Sequence, residues 1–207
     1  MNLRRQLDAG LAGLGLAPND PLCQSLLAYI DLLVKWNKAY NLTSVREPAR
    51  MVTHHILDCL TVLPYLNGSQ LLDVGTGAGL PGVVLALVRR DCRWVLLDSN
   101  AKKTRFVTQA VMELKLQNVE VVRAGVGDYQ PRERFSSVIA RAFGPILEIF
   151  EQTRHLYARN GYLLAMKGRR PDVELAELRL RAIPFEVHRL HVPGLHASRH
   201  LVVVKSS

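Results

Sequence analysis

Cysteine is scarce: Cys23, Cys59 and Cys92 are the only three in 207 residues. An odd number without metal-ligand spacing excludes a disulfide framework and reads as reduced, structural thiols in a cytoplasmic protein. Long apolar runs are also missing. None approaches the ~20 residues of a membrane span, so no membrane partner is expected. Yet apolar residues make up 48% of the chain, enough for a packed core and too many for global disorder. The basic start Met1-Asn2-Leu3-Arg4-Arg5 leads into no uninterrupted apolar block, so no secretory signal is expected. Acidic residues are few, 18 against 27 lysines and arginines, for a formal charge of +9. Such a field attracts polyanions, and nucleic acid is the commonest in the cytoplasm. A soluble protein with many surface arginines would show the same balance.

Residues 1 to 66 read as a helical extension. Asn19-Asp20-Pro21 is a helix start, a capping residue followed by proline. Leu22, Leu26, Ile30 and Leu33 then mark one face of an amphipathic helix. Asn41-Leu42-Thr43 breaks the pattern, and a further helix is expected from Glu47-Pro48 through His54, His55 and Leu60. Asn67-Gly68-Ser69 is a turn and sets the boundary with a second unit, 67 to 207. There the rhythm changes to short apolar strands, 71–74, 94–97, 119–122, 138–140 and 163–166. They alternate with helices 81–89, 102–116, 146–158 and 173–181. Such alternation implies a parallel sheet covered on both faces, an α/β Rossmann-like fold. Residues 185–192 and 201–205, joined by a loop rich in Pro, Gly and His, form a terminal antiparallel hairpin and bring the sheet to seven strands.

The first strand runs into Asp73-Val74-Gly75-Thr76-Gly77-Ala78-Gly79. In an open parallel sheet this loop meets a ligand beyond the carboxyl ends of the strands. Gly77-Ala78-Gly79-Leu80-Pro81-Gly82 also spells the dinucleotide fingerprint, which alone is weak. Asp73 argues against a pyrophosphate and for the ammonium of S-adenosylmethionine. Pro81 removes a backbone donor that a phosphate at the helix start would use. The expected cofactor cradle is therefore Asp73, Gly75, Thr76, Gly77 and Gly79. Asp98, at the end of the second strand, suits ribose hydroxyls, though it would serve NAD equally. Val126 and Gly127 should lie beside the adenine. Asp128 is either a partner of its exocyclic amine or a solvated turn residue.

The acceptor belongs beyond the fourth strand, at Arg141-Ala142-Phe143-Gly144-Pro145. There is no Asn/Asp-Pro-Pro-aromatic element for exocyclic amines, and no cysteine lies in this stretch for carbon-5 pyrimidine chemistry. A target with a free lone pair, such as guanine N7, needs neither, and catalysis is then mostly positioning, with no general base. Arg141 can grip guanine O6, a phosphate or the cofactor carboxylate, or form a structural ion pair. Phe143 can stack on a base or pack. Lys167, Arg169 and Arg170 can hold RNA phosphates or form a solvated basic loop. His54 and His55 more often pack than bind, with a hydrogen bond from His55 to substrate or cofactor as the functional reading. His188, His191, His196 and His200 lack ligand spacing, so no metal is expected. A small-molecule or protein methyltransferase, a nicotinamide oxidoreductase and an RNA-binding protein with an inactive cofactor site are the alternatives.

Six segments together resemble one family: Trp36-Asn37-Lys38-Ala39-Tyr40-Asn41-Leu42-Thr43, His55-Ile56-Leu57-Asp58, the Asp73 to Gly82 loop, Leu97-Asp98-Ser99, Arg141-Ala142-Phe143 and Met166-Lys167-Gly168. The chain is similar to the bacterial 16S ribosomal RNA guanine-N7 methyltransferases of the small-subunit methyltransferase G type, also called glucose-inhibited division protein B. The resemblance spans nearly the whole chain. It implies a class I S-adenosylmethionine-dependent fold and N7 methylation of one guanosine in the decoding-region loop of 16S rRNA, within the small subunit or an assembly intermediate. It also implies a cytoplasmic, monomeric enzyme with cofactor contacts at Gly75, Leu80, Val126, Gly127 and Arg141. Two positions depart from the pattern: Ala78 stands where proline is frequent and Gly127 where glutamate is common.

Overall fold

A computed structural model describes residues 2–206 of the protein. Helix α1 (Leu3–Gly13) precedes α2 (Asp20–Tyr40). The Asn19 side chain caps α2 by accepting the Leu22 N–H at 3.0 Å, and Pro21 sits in its first turn. Asn41, left-handed at φ 49°, stops it. Leu26, Ile30 and Leu33 are buried as the spacing predicts. The helix expected from Pro48 is interrupted: α3 (Pro48–Met51) passes through a π-helical stretch, Val52–Leu57, into α4 (Asp58–Leu60).

The sheet follows. Strands are β1 (Gln70–Val74), β2 (Arg93–Asp98), β3 (Val119–Arg123), β4 (Phe135–Arg141), β5 (Tyr157–Lys167), β6 (Phe185–Leu190) and β7 (Arg199–Lys205). Helices α5 (Gly82–Val88), α6 (Ala101–Glu113), α7 (Ile146–Gln152) and α8 (Asp172–Leu180) connect them. The order is β3-β2-β1-β4-β5-β7-β6. The first five strands are parallel, and β7 runs antiparallel to both β5 and β6. The seven-stranded, mostly parallel sheet with its terminal antiparallel hairpin matches the sequence reading.

One element ends early. The sequence reading expects a helix over 146–158, but α7 stops at Gln152. Leu156 and Tyr157 instead enter the core from a 3₁₀ turn and the start of β5. Tyr157 pairs with Phe135, the next regular pair is Tyr162 with Ser137, and residues 158–161 bulge between them.

Side chains alternate across the sheet. Leu71, Leu96, Ile139 and Leu164 pack on one face with α1, α2, α5, α6 and the helices up to residue 60, in one continuous core. Leu72, Val95, Val138 and Leu163 face α7 and α8. By the same period of two, Asp73, Asp98 and Arg141 end up on the first face, under the helical segment. Lys167 points to the second.

Candidate active site

The carboxyl ends of β1, β2 and β4 form the mouth. Gly75, Gly77 and Gly79 all have positive φ. At Gly75 the reason is steric as well: a side-chain carbon there would lie 2.0 Å from Phe143 Cδ2. Gly77 is different. A side chain there would meet only the Gly75 carbonyl oxygen, at 3.8 Å, so this glycine leaves the loop open to a ligand.

Asp73 is fully buried beneath the loop. Its Oδ2 accepts from the Thr76 hydroxyl at 2.6 Å and from the Gly82 N–H, the first amide of α5, at 2.8 Å. Its Oδ1 is buried without a partner. Burial pushes the carboxyl up to about 7, against the pull of the Thr76 and Gly82 donors. Asp98 Oδ2 accepts the Gly77 N–H at 2.9 Å and Oδ1 the Asn100 N–H at 2.8 Å, which leaves acceptor capacity on both oxygens. The amides of Thr76, Gly79 and Leu80 bond to Leu97 and Thr76 carbonyls. With these donors and Gly82 satisfied internally, the loop offers few amides to a pyrophosphate. An orphan buried carboxylate oxygen suits a cationic ligand, so the residues present fit S-adenosylmethionine better than NAD. Pro81, expected in the first turn of α5, is instead its N-cap residue. Leu80 is buried, Val126 half-buried and Gly127 exposed, with open space where a side chain would stand.

Two contacts to this half were not foreseen. The Tyr29 hydroxyl, from α2, donates to the Ala78 carbonyl, and Tyr29 lies in the core. The helical segment thus holds the loop from behind. Phe143 follows Ala142, which adopts φ 52°, a conformation that costs an alanine on the order of 1 kcal/mol. Phe143 is 38% exposed, and its ring reaches the backbone of Gly75.

Arg141, at the end of β4, is turned inward. Nη1 lies 3.2 Å from Cys59 Sγ and 3.6 Å from Asp58 Oδ2. Nη2 donates to the His54 carbonyl and to His55 Nδ1, both at 3.2 Å. The π stretch makes this possible. The Asp58 N–H bonds to the Thr53 and His55 carbonyls and skips that of His54, which is left to accept from the guanidinium. Because His55 Nδ1 accepts, Nε2 carries the proton and donates to Thr43 Oγ1 at 2.8 Å. Burial and the Arg141 charge push the imidazole down to about 4. With both ring nitrogens engaged, His55 braces Arg141 rather than facing the mouth. Asp58 is the centre of the cluster: its Oδ1 also accepts Arg199 Nε at 3.0 Å. Burial raises its pKa, against the pull of Arg141 and Arg199. Asn37 closes the chain of contacts, with its side-chain amide bonded to both the N–H and the carbonyl of Thr43.

Cys59 requires a correction. No cysteine is near residue 141 in sequence, yet the fold brings one within 3.2 Å of it. The thiol is fully buried and pushed up to about 12 by that burial, so it is not a nucleophile. Sequence distance misled because the contact spans 82 residues.

Lys167 is likewise engaged. Its Nζ donates to the Gly144 carbonyl at 2.9 Å and to Glu174 Oε2 at 2.8 Å, and Glu174 also accepts the Ile146 N–H at 2.7 Å. It ties the end of β5 to the starts of α7 and α8. Arg170 pairs with Asp172 at 3.0 Å, and Arg169 is exposed. Between Asp58, Arg141, Met166, Lys167, Arg199 and His200 lies a cleft of about 300 Å³. His200 Nδ1 donates to the Gly168 carbonyl, which leaves Nε2 as an acceptor. Sequence reasoning missed Asp58, Arg199, Tyr29 and Glu174 as parts of the site. Only Asp58 had a signal, its place in the His55-Ile56-Leu57-Asp58 segment. No cluster of three metal-ligating side chains occurs among the described residues, and no helix among them is long and apolar enough to cross a membrane.

Strand order, a glycine loop after β1 and an acidic residue ending β2 define a class I methyltransferase fold. Among solved structures, a SAM-dependent methyltransferase from Aquifex aeolicus superposes with TM-score 0.60 at 19% identity, covering 92% of this chain and 100% of that one. The human methyltransferase 10 domain containing protein does so with TM-score 0.61 at 12% identity, covering 87% and 96%. At those identities the likeness is one of fold. The family description GidB, rRNA small subunit methyltransferase G, matches residues 22–202. Relatives named ribosomal RNA small subunit methyltransferase G are 46% identical over 205 residues in Coxiella burnetii and 47% identical over 204 in Yersinia enterocolitica. The first alignment covers 99% of both chains, the second 98% of this chain and 99% of that one. The chain belongs to the rRNA small subunit methyltransferase G family.

Proposed function

We propose that this S-adenosylmethionine-dependent rRNA methyltransferase acts on N7 of a single guanosine of 16S rRNA. The observation that carries the choice of atom is the chemistry of the cleft beside Arg141. Its one carboxylate, Asp58, is held between two guanidinium groups, and the neighbouring thiol is buried and protonated. A wall rich in donors suits the O6 acceptor of guanine, which leaves the N7 lone pair free for the methyl group. His200 Nε2 offers an acceptor to one of the N1–H and N2–H donors on another edge of the same base.

The cofactor would supply a methyl group on a sulfonium: N7 would bond to the methyl carbon as the C–S bond breaks, the neutral thioether would leave, and no proton need be removed. The protein's work is therefore to hold the base in line. Asp73, Gly75, Thr76, Gly77, Gly79, Leu80, Asp98, Val126 and Gly127 would hold the cofactor. Arg141 lines the cleft and would lend its charge to the side where the acceptor sits. Phe143, against the Gly75 backbone, would flank the cofactor loop. In the same reading the enzyme is a cytoplasmic monomer, and its substrate is the small subunit or an assembly intermediate.

Incubating the protein with labelled cofactor and 16S rRNA, then digesting for mass spectrometry, tests this. N7-methylguanosine at one position is expected. Label on an exocyclic amine or a pyrimidine carbon, or none in RNA, overturns it.

A further inference from the structure

At the opposite end of the sheet lies a larger cleft, of about 640 Å³, between the starts of β4 and β5 and the ends of α7, α8 and β7. Five cations line it: Arg134, Arg154, Arg159, Arg181 and Lys205. All are exposed. The one carboxylate on the wall is Glu151, so the lining carries four net positive charges. Arg181 pairs with Glu151 at 3.2 Å, and Lys205 with Glu186 at 3.3 Å. Arg134, Arg154 and Arg159 have no carboxylate within 4.0 Å among the described residues.

Helix ends account for part of this. Cations are favoured near a helix C-terminus, and Arg154 and Arg181 stand just past the ends of α7 and α8. The others have no such reason. Arg159 rides on the bulge between the Phe135–Tyr157 and Ser137–Tyr162 pairs, an insertion that the β4–β5 ladder does not need. Arg134 enters from the chain before β4. Like charges gathered in a concave site raise the local potential and concentrate anions. Guanidinium groups in turn match phosphate oxygens two at a time.

We infer that this cleft is a second RNA contact, which grips the sugar-phosphate backbone of the rRNA substrate away from the transferred methyl group. The inference rests on rRNA being the substrate. Two observations favour RNA over a small anion. The three cations that line the cleft at the mouth are already bonded to protein groups, Arg141 and Arg199 to Asp58 and Lys167 to Glu174, with Arg169 exposed beside it. They leave little charge there for phosphates. The spacing also fits a single RNA element. Phe135 and Arg141 mark the two ends of β4, six residues apart or about 20 Å. That is the length of a short RNA stem, so one element reaches from cleft to mouth.

The test is the triple variant Arg134→Gln/Arg154→Gln/Arg159→Gln in the full chain, with Arg159→Gln alone as a milder second variant. RNA affinity is read by filter binding to 16S rRNA across a salt series, cofactor affinity by calorimetry and folding by thermal denaturation. A drop of at least tenfold in RNA affinity is expected for the triple variant, and a smaller one for the single variant. The slope of log affinity against log salt should shrink by about 2 to 3. Cofactor affinity and the rate at saturating RNA should stay unchanged. Replacing the three arginines by lysine should restore most of the affinity. An unchanged RNA affinity and salt slope in the triple variant would overturn the proposal. So would loss of ATP binding with RNA binding intact, which would assign the cleft to a free nucleotide. If the wild-type protein itself neither binds nor methylates RNA, the rRNA reading fails instead, and the two failures are thereby distinguished.

Discussion

The two halves of the mouth are built differently. The β1–β2 half is made of neighbours. Asp73 reaches Thr76 and Gly82, three and nine residues on, and Asp98 reaches back to Gly77 across one strand–helix–strand unit. The β4–β5–β7 half is made of distant partners. Arg141 contacts Cys59 across 82 residues, and Arg199 contacts Asp58 across 141. The carboxylate contacts of the first half need only β1, β2 and the loop between them, although Tyr29 and Phe143 also touch that loop. The second exists only when the helical segment, β4 and the terminal hairpin have all docked. Damage to the first should weaken the cofactor, and damage to the second should unseat the acceptor.

The largest effect expected is at Asp58. Asp58→Ala leaves two guanidinium groups facing each other without their shared anion. Removing one partner of a buried ion pair costs about 3–5 kcal/mol. The melting temperature should fall, and RNA methylation should drop about 100-fold or more. Cofactor affinity by calorimetry should change by less than about threefold. A cofactor affinity that falls in parallel would erase the distinction between the halves.

Asp73→Asn is the complementary change. The amide oxygen can still accept from Gly82 and Thr76, but the charge is gone. An ionic hydrogen bond is worth about 1.5–3 kcal/mol, so the cofactor should bind about 10- to 100-fold more weakly while the fold survives. The pH dependence gives a second readout. The folded-state pKa of Asp73, about 7, lies above the unfolded value near 4. The folded protein therefore holds the extra proton, and this contribution to stability is full below about pH 4 and lost as pH rises through about 7. Asp73→Asn should remove that decline in denaturation experiments without ligand. In the wild type, cofactor affinity should rise over the same window, because a bound ammonium favours the ionised carboxylate.

His55→Gln should have a smaller effect and the opposite pH signature. The imidazole is held neutral down to about 4, against an unfolded value near 6.5. Its contribution to stability is therefore full above about pH 6.5 and lost as pH falls toward 4. The variant should flatten that loss in an acid denaturation series and reduce RNA methylation more than cofactor binding. The smallest effect is expected from Tyr29→Phe. It leaves the buried Ala78 carbonyl without its donor, worth about 1–3 kcal/mol. Part of this should appear as a severalfold loss of cofactor affinity, linking the helical segment to the loop half.

These contrasts also explain what could be read in advance. The strand–helix alternation, the α2 cap at Asn19 and the loop after β1 are local patterns, and each appears where the sequence puts it. The end of α7 was misplaced because Leu156 and Tyr157 are buried whether the chain there is helical or extended, so apolar spacing could not decide between them. His55 and Lys167 were expected to meet the substrate, but both are held by partners from other elements, Thr43 and Arg141 for His55 and Glu174 for Lys167. A charged side chain looks free in a sequence until its counterion is placed.

By itself, then, the sequence determined the things that depend on near neighbours and on period: a parallel α/β sheet, a glycine loop above a carboxylate, and an excess of positive charge. Tertiary structure decided which charges remain available. It buried Asp73 with one oxygen unpaired and closed Arg141 and Arg199 onto Asp58. It satisfied Lys167 with Glu174 and left Arg134, Arg154 and Arg159 open at the far end of the sheet. The physical reason is that pairing and desolvation depend on distance in space, and contacts that span 80 or 140 residues leave no periodic trace along the chain.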